Sequence, residues 1–158
     1  MTDETDPLIE TFIFDTSDWA PDRRFSAWQE HNRASQFTQS GDGPFHAFAK
    51  TWLLDGVVVS EHHIDAFEGH RDQKMATAAA LNHIMLIFPL KGTTRVKGSG
   101  INVLCQPGEV AILDYRRALS TINSTQHGIA ISLRRDLLEA RYGAVDLHGR
   151  LPRSPETA

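Results

Sequence analysis

From Phe45 to Leu133 the hydrophobic positions fall in short runs, most of them closed by a turn residue, instead of one long amphipathic stripe. The stretch Phe45 to Leu54 alternates loosely, with Phe48, Trp52 and Leu54 expected to face inward, and Asp55-Gly56 reads as a tight hairpin turn. Val57-Val58-Val59 opens a β-branched strand that carries Glu61, His63 and Asp65 on one side. Further apolar or alternating runs lie at 80–90, 93–96, 101–104, 109–114, 119–123 and 128–133. Lys91-Gly92, Lys97-Gly98-Ser99-Gly100 and Gln106-Pro107-Gly108 separate several of them. Short strands at this spacing predict a mainly β chain folded as a sandwich or closed barrel.

A helical period frames this block. Pro21 suits a first helical turn and Asp22 complements its positive dipole end, so a helix is expected from Pro21 to Ser35. Phe25, Trp28 and Asn32 lie along one face of it, and Gly41-Asp42-Gly43-Pro44 forms the loop beyond. A second helix is expected after Ser132, with Leu133, Leu137, Leu138 and Tyr142 as its apolar stripe and Gly143 as its terminator. Residues 1–11 read as an acidic lead, 12–148 as one domain, and 149–158, with Pro152 and Pro155, as the start of a linker.

Composition narrows the function. The 158 residues suit a single core, and 20 acidic against 16 basic residues give a net charge of −4. That balance argues against direct nucleic-acid binding, which needs a concentrated basic surface. No apolar run is long enough to span a membrane, and Met1 to Asp6 is acidic, unlike a signal peptide. A lone cysteine, Cys105, has no internal disulfide partner and suits a reducing compartment, so a soluble cytoplasmic protein is expected.

Three segments together resemble the ligand-binding domain of AraC-type transcription regulators. Phe14-Asp15-Thr16 followed by Arg24-Phe25-Ser26-Ala27-Trp28-Gln29-Glu30 is similar to the family's opening lead and helix. Leu86 to Gly92, then Leu104 with Pro107-Gly108-Glu109 and Leu113-Asp114, is similar to its Leu-x-Pro-Gly-Asp-x-x-x-Leu-Asp pattern. Ser132-Leu133-Arg134-Arg135-Asp136-Leu137-Leu138 is similar to its closing helix. The resemblance covers roughly residues 12–150 and implies a cupin or jelly-roll β-barrel with an N-terminal and a C-terminal helix. It implies a domain that senses a small-molecule effector and pairs as a homodimer, through the region of Leu137, Leu138 and Tyr142. Nucleic acid would be bound only through helix-turn-helix motifs, which these 158 residues do not contain. Whether the chain is the sensing part of a longer regulator or a free-standing relative stays open.

The alternative within the same fold is a cupin enzyme, either a metal-free isomerase or epimerase or an atypical metal dioxygenase. Catalytic cupins take two histidines and a glutamate from one motif and a further histidine from a second. Aligned on Gly92, the glutamate position is Met85 and the histidine positions are Ala79 and Leu81, or Ala78 and Ala80. Aligned on Gly108, the last histidine position is Leu119. Apolar side chains offer no strong lone pair to a divalent ion, so no metal, no cofactor and no catalytic residue is expected at those positions. His62, His63, His70, His83 and His127 remain as material for an unorthodox site. Cys105 has no patterned histidine partner, and Asp65 with Glu68 reads as a solvated loop. An effector pocket, if present, is expected to draw on Trp52, His63, Phe67, His83, Met85 and Arg95.

Overall fold

The computed structural model describes residues 9–144 and 146–149. It contains a six-stranded antiparallel sheet in the order β1-β3-β4-β11-β6-β9 and a five-stranded one in the order β2-β5-β10-β7-β8. Their ranges are β1 Glu10–Asp15, β2 Gln36–Gln39, β3 Ala47–Leu54, β4 Val57–Ile64, β5 Phe67–Arg71 and β6 His83–Lys91. Then come β7 Thr94–Gly98, β8 Ile101–Cys105, β9 Ala111–Asp114, β10 Leu119–Asn123 and β11 Gln126–Arg134. The sheets face each other as a mainly β jelly roll of the cupin type. Three short helices attach to it, α1 Arg24–His31, α2 Gln73–Ala79 and α3 Arg135–Tyr142. No described helix is long and apolar enough to cross a membrane.

Most strands stand where the alternation put them, and Asp55-Gly56 closes the β3–β4 hairpin. The differences have physical causes. The lead was expected to run to residue 11, yet Glu10 and Thr11 already belong to β1; this strand survives with exposed Phe12 and Ile13 because all six of its residues pair with β3. Asp65 and Glu68 were expected in a solvated loop, yet Glu68 belongs to the strand Phe67–Arg71, held between β2 and β10. Ser132 and Leu133 do not begin a helix. They pair with Val58 and Val57 on one side and with Met85 and Ile84 on the other, and two ladders outweigh a local cap. The C-terminal helix therefore starts at Arg135 and ends, as expected, at Gly143, which has φ 75°. The N-terminal helix is shorter than expected, a 3₁₀ turn at Pro21–Arg23 leading into α1 and stopping at Asn32. Asp72 caps α2 by accepting from the Met75 amide at 2.7 Å. The lead at residues 1–8 and the linker beyond Gly149 lie outside the described residues.

Two apolar clusters hold the sheets together. At one end Trp28 of α1 plugs the barrel against Phe45, Ala47 and Phe67, with Phe14, Phe25 and Phe37 around it. Tilted and edge-on ring contacts at 4.6–5.8 Å tie these aromatics together. At the other end Val96, Leu113 and Leu119 pack with Met85, Ile87 and Ile101.

Two glycines test how tightly the corners are built. Gly92 and Gly100 both have positive φ, 80° and 85°. A Cβ on Gly92 would strike the Thr125 carbonyl oxygen, whereas one on Gly100 meets nothing within 4 Å. Gly100→Ala is expected to cost about 1 kcal/mol of left-handed strain, and Gly92→Ala at least about twice that. Urea midpoints of the two variants at unchanged m-value check the difference.

Candidate functional site

Between the two clusters the barrel interior stays open, as a cavity of about 290 Å³. Its wall alternates along most of the strands that reach it; on β3 Phe48 borders it as well, although this residue is paired with outward-facing His63. Strand β3 contributes Ala47, Ala49 and Thr51, and β4 contributes Ser60, His62 and Ile64. Strand β5 contributes Phe67, Gly69 and Arg71, and β10 contributes Leu119, Thr121 and Asn123. Small residues face each other where the space opens, Ala49 and Ala130 on one sheet and Gly69 on the other. A Cβ on Gly69 would come within 2.7 Å of the Thr121 hydroxyl, so this position has no room for a larger side chain.

The charged member of the wall is Arg71, only 2% exposed. Its Nη1 donates to the Tyr115 carbonyl at 2.8 Å and its Nε donates to Ser35 Oγ at 3.2 Å. The guanidinium lies over the Tyr115 ring, 3.9 Å from its centre. Among the described residues no carboxylate reaches it within salt-bridge distance, and no aspartate or glutamate lines the cavity. The Tyr115 hydroxyl donates only to the Met85 thioether, at 3.1 Å, a weak acceptor. Burial pushes this phenol's pKa up, against the opposing pull of Arg71, and keeps it a donor.

Opposite this pair the polar groups are neutral. Thr94 Oγ1 sits 2.9 Å from Asn123 Oδ1 and 3.1 Å from Gln126 Oε1, and Asn123 Nδ2 donates to Thr121 Oγ1 at 3.0 Å. His62 is buried, and its pKa falls to about 4 because burial disfavours the cation, with His127 and His63 adding repulsion. The interior thus offers one fixed positive charge, a phenol, a neutral imidazole and several amides and hydroxyls, with exposed His31 in the wall.

The expected site residues divide. Phe67 and Met85 line the cavity. Trp52 does not; it shares the outer face of β3 with Lys50, whose ammonium lies 5.2 Å over the indole. His63 also points outward, because β4 turns His62 and not His63 to the interior. His83 begins β6 outside the lining, and outward-facing Arg95 donates to Asn102 at 3.1 Å. Leu54, expected inward, is exposed at the end of β3, while Phe48 reaches the wall. On α3, Leu137 and Tyr142 are exposed, and Leu138 and Tyr142 border a second, apolar cavity with Ile84 and Leu147.

Sequence reasoning missed Arg71 and Tyr115, and it named His62 only as material for an unorthodox metal site and not as part of the pocket. Two-residue periodicity carries the relevant information: Arg71 shares the parity of Phe67 and Gly69, and solvated Glu61 places His63 outside and His62 inside.

The interior does not suit a metal of the catalytic cupin kind. Met85 and Leu119 hold two of the aligned ligand positions in the wall, and Ala78 and Ala79 lie in α2. His62 and His31 face the cavity without a carboxylate. Of the histidines set aside for an unorthodox site, only His63 and His127 come together, on the outer face. Cys105 is buried with its pKa pushed up to about 11, chiefly by burial and then by Glu109, so it stays a thiol.

His62 sets the acid response. The unfolded imidazole protonates at its ordinary 6.5 while the folded one waits until about 4. The unfolded chain therefore binds more protons between those values, and stability falls as pH drops through that window. Buried His148, also shifted down, adds in the same direction. Urea unfolding at pH 7.0 and 4.5 is expected to show His62→Gln losing about 2–3 kcal/mol less than the parent chain.

No protein-family model matches the chain, and no curated protein matches it in sequence. Solved structures do. The AraC-like transcriptional activator CuxR superposes with a TM-score of 0.77 at 16% identity, over 85% of this chain and 51% of that one. Ectoine synthase from P. lautus (TM-score 0.43, 16% identity, 71% of this chain and 82% of that one) and KdgF from Halomonas sp. (0.40, 14%, 68% and 94%) are more loosely similar. The chain spans about half the length of the activator it matches. This chain therefore has the cupin-type jelly-roll fold that an AraC-like transcriptional activator also contains, at a sequence identity of 16%.

Proposed function

We propose that the chain is the effector-sensing domain of an AraC-type regulator and not an enzyme, and that its effector is a small organic anion. The observation that carries this reading is Arg71. A desolvated guanidinium without a carboxylate is costly to maintain. It is matched when an anionic ligand enters and accepts from it, and the Tyr115 phenol beside it supplies a second donor. The cavity volume equals the share of about ten waters at ~30 Å³ each, which sets the ligand's size. Its aromatic wall of Trp28, Phe37 and Phe67 suits an apolar body, so a monocarboxylate with a ring or short hydrocarbon chain fits best.

The transmission route follows the chain from the pocket. Tyr115, under Arg71, is preceded by Asp114, whose Oδ1 lies 2.6 Å from Nη2 of Arg135, the first residue of α3. The distance makes this an ion pair, although the N–H direction is poor and Arg135 Nε has no partner. Burial raises the Asp114 carboxyl, but the Arg116 amide and Arg135 outweigh it and hold its pKa below the ordinary value. A ligand that draws Arg71 off Tyr115 shifts the strand end to which α3 is fastened. With a net charge of −4 on this chain, contact with DNA is left to an attached domain. Exposed Leu137 and Tyr142 on α3 support pairing between two copies.

Thermal-shift and calorimetric titration with benzoate, phenylacetate and hexanoate, against their amides, test this. A carboxylate is expected to raise the melting temperature and its amide to do so far less. Arg71→Met is expected to abolish the difference and to cost about 1–3 kcal/mol of stability, since the Tyr115 carbonyl loses its donor. Equal response to acid and amide, or an undiminished response in Arg71→Met, overturns the reading. In the ligand-bound protein, Asp114→Asn is expected to retain binding but lose the change in amide exchange of α3.

A further inference from the structure

The outer face of the larger sheet carries a cluster that the interior pocket does not use. On neighbouring strands β4 and β11, His63 and His127 are directly opposite, and Glu61 lies two residues along β4 on the same face. The two imidazoles stack with centroids 3.9 Å apart and planes 12° from parallel. His127 Nε2 sits 2.8 Å from Glu61 Oε1, and one donor atom from each of the three residues falls within 4.8 Å of the others. Glu61 has a lysine directly opposite it, Lys50 on β3, yet forms no salt bridge with it; the Lys50 ammonium lies over Trp52 instead. The carboxylate thus faces the imidazoles. β11 pairs continuously with β4 across the cluster, and on its other side it pairs with β6 through a bulge between His127 and Gly128, so the ladder to β4 sets the spacing of the two imidazoles. Phe48 flanks it, its ring 6.4 Å from that of His63.

We propose that Glu61, His63 and His127 bind a divalent transition ion of the zinc and nickel class. Two imidazole nitrogens are borderline donors that suit these ions and not calcium or magnesium, and a single hard carboxylate oxygen beside them completes a donor set that zinc accepts. Bonds of about 2.0–2.2 Å draw the three donor atoms closer than they now stand, a change that side-chain rotation supplies without moving the strands. His127 would coordinate through a ring nitrogen that carries no proton, the other nitrogen keeping the N–H of a neutral imidazole. Three protein ligands leave at least one position open to water or to a donor from another molecule. The site is outside the barrel and independent of Arg71, so it adds a second input and does not alter the reading of the cavity.

The test uses the untagged full chain, stripped with a chelator and titrated with Zn²⁺, Ni²⁺ and Mg²⁺ by calorimetry, with Co²⁺ absorption as a spectroscopic check. One equivalent of Zn²⁺ or Ni²⁺ is expected to bind, Mg²⁺ is expected not to, and Co²⁺ is expected to give a visible ligand-field band. His63→Ala and His127→Ala are each expected to weaken binding by no less than the ~10-fold that loss of an outer partner costs, and Glu61→Gln to weaken it in the same direction. His70→Ala, on the other sheet beside Ser120, is expected to change nothing. Metal-free melting temperatures of the variants matching the parent show that the fold is intact. Absence of stoichiometric binding by the parent chain, or parent-like binding by the His63→Ala/His127→Ala double variant, overturns the proposal.

Discussion

A guanidinium removed from water and left without a counter-charge among the described residues is the constraint around which this barrel is arranged. Arg71 is held by a carbonyl, a hydroxyl and the face of a tyrosine, none of which neutralises it. Each contact comes from a different part of the fold: Ser35 follows α1, Tyr115 follows β9, and Arg71 itself ends β5. Holding them together requires both sheets and the N-terminal helix. The small residues on the facing sheet, Ala49 and Ala130, then keep the space in front of the charge open. A packed interior would have been more stable, and the opening is the space that the proposed recognition of an anion would use.

The same neighbourhood connects the interior to the exterior. Asp114 and Tyr115 are adjacent in sequence but look in different directions, one to α3 and the other into the cavity. A short, rigid strand end is therefore in contact with both. Coupling of this kind needs a displacement of only a fraction of an ångström, because packed elements move as units.

The two faces of the larger sheet divide the chemistry by parity. Inward residues of β4 give a hydroxyl and a neutral imidazole, while the next residues outward give a carboxylate and a second imidazole. A shift of register by one would exchange them and destroy both arrangements. Pairing of β4 with β3 and with β11 over eight positions each prevents that shift.

Local pattern was enough for most of the architecture. The Val57-Val58-Val59 run, the Asp55-Gly56 turn and the Gly143 terminator each express a backbone preference that needs no distant partner, and the three family-like segments pointed to the barrel. The pocket was legible only in part. Met85 was found because apolar residues on strands tend inward, and Phe67 because a large aromatic side chain tends to be buried whatever element carries it. Trp52 and His63 were misplaced because a bulky or polar side chain does not announce its face; the charges beside them, Lys50 and Glu61, do. Strands β1, β2 and β5 were invisible because their residues become strands only through ladders to segments many positions away. For the same reason Arg71, Tyr115 and Ser35 became a site only when closure of the barrel brought them together, since no spacing in a linear chain encodes a contact made across two sheets.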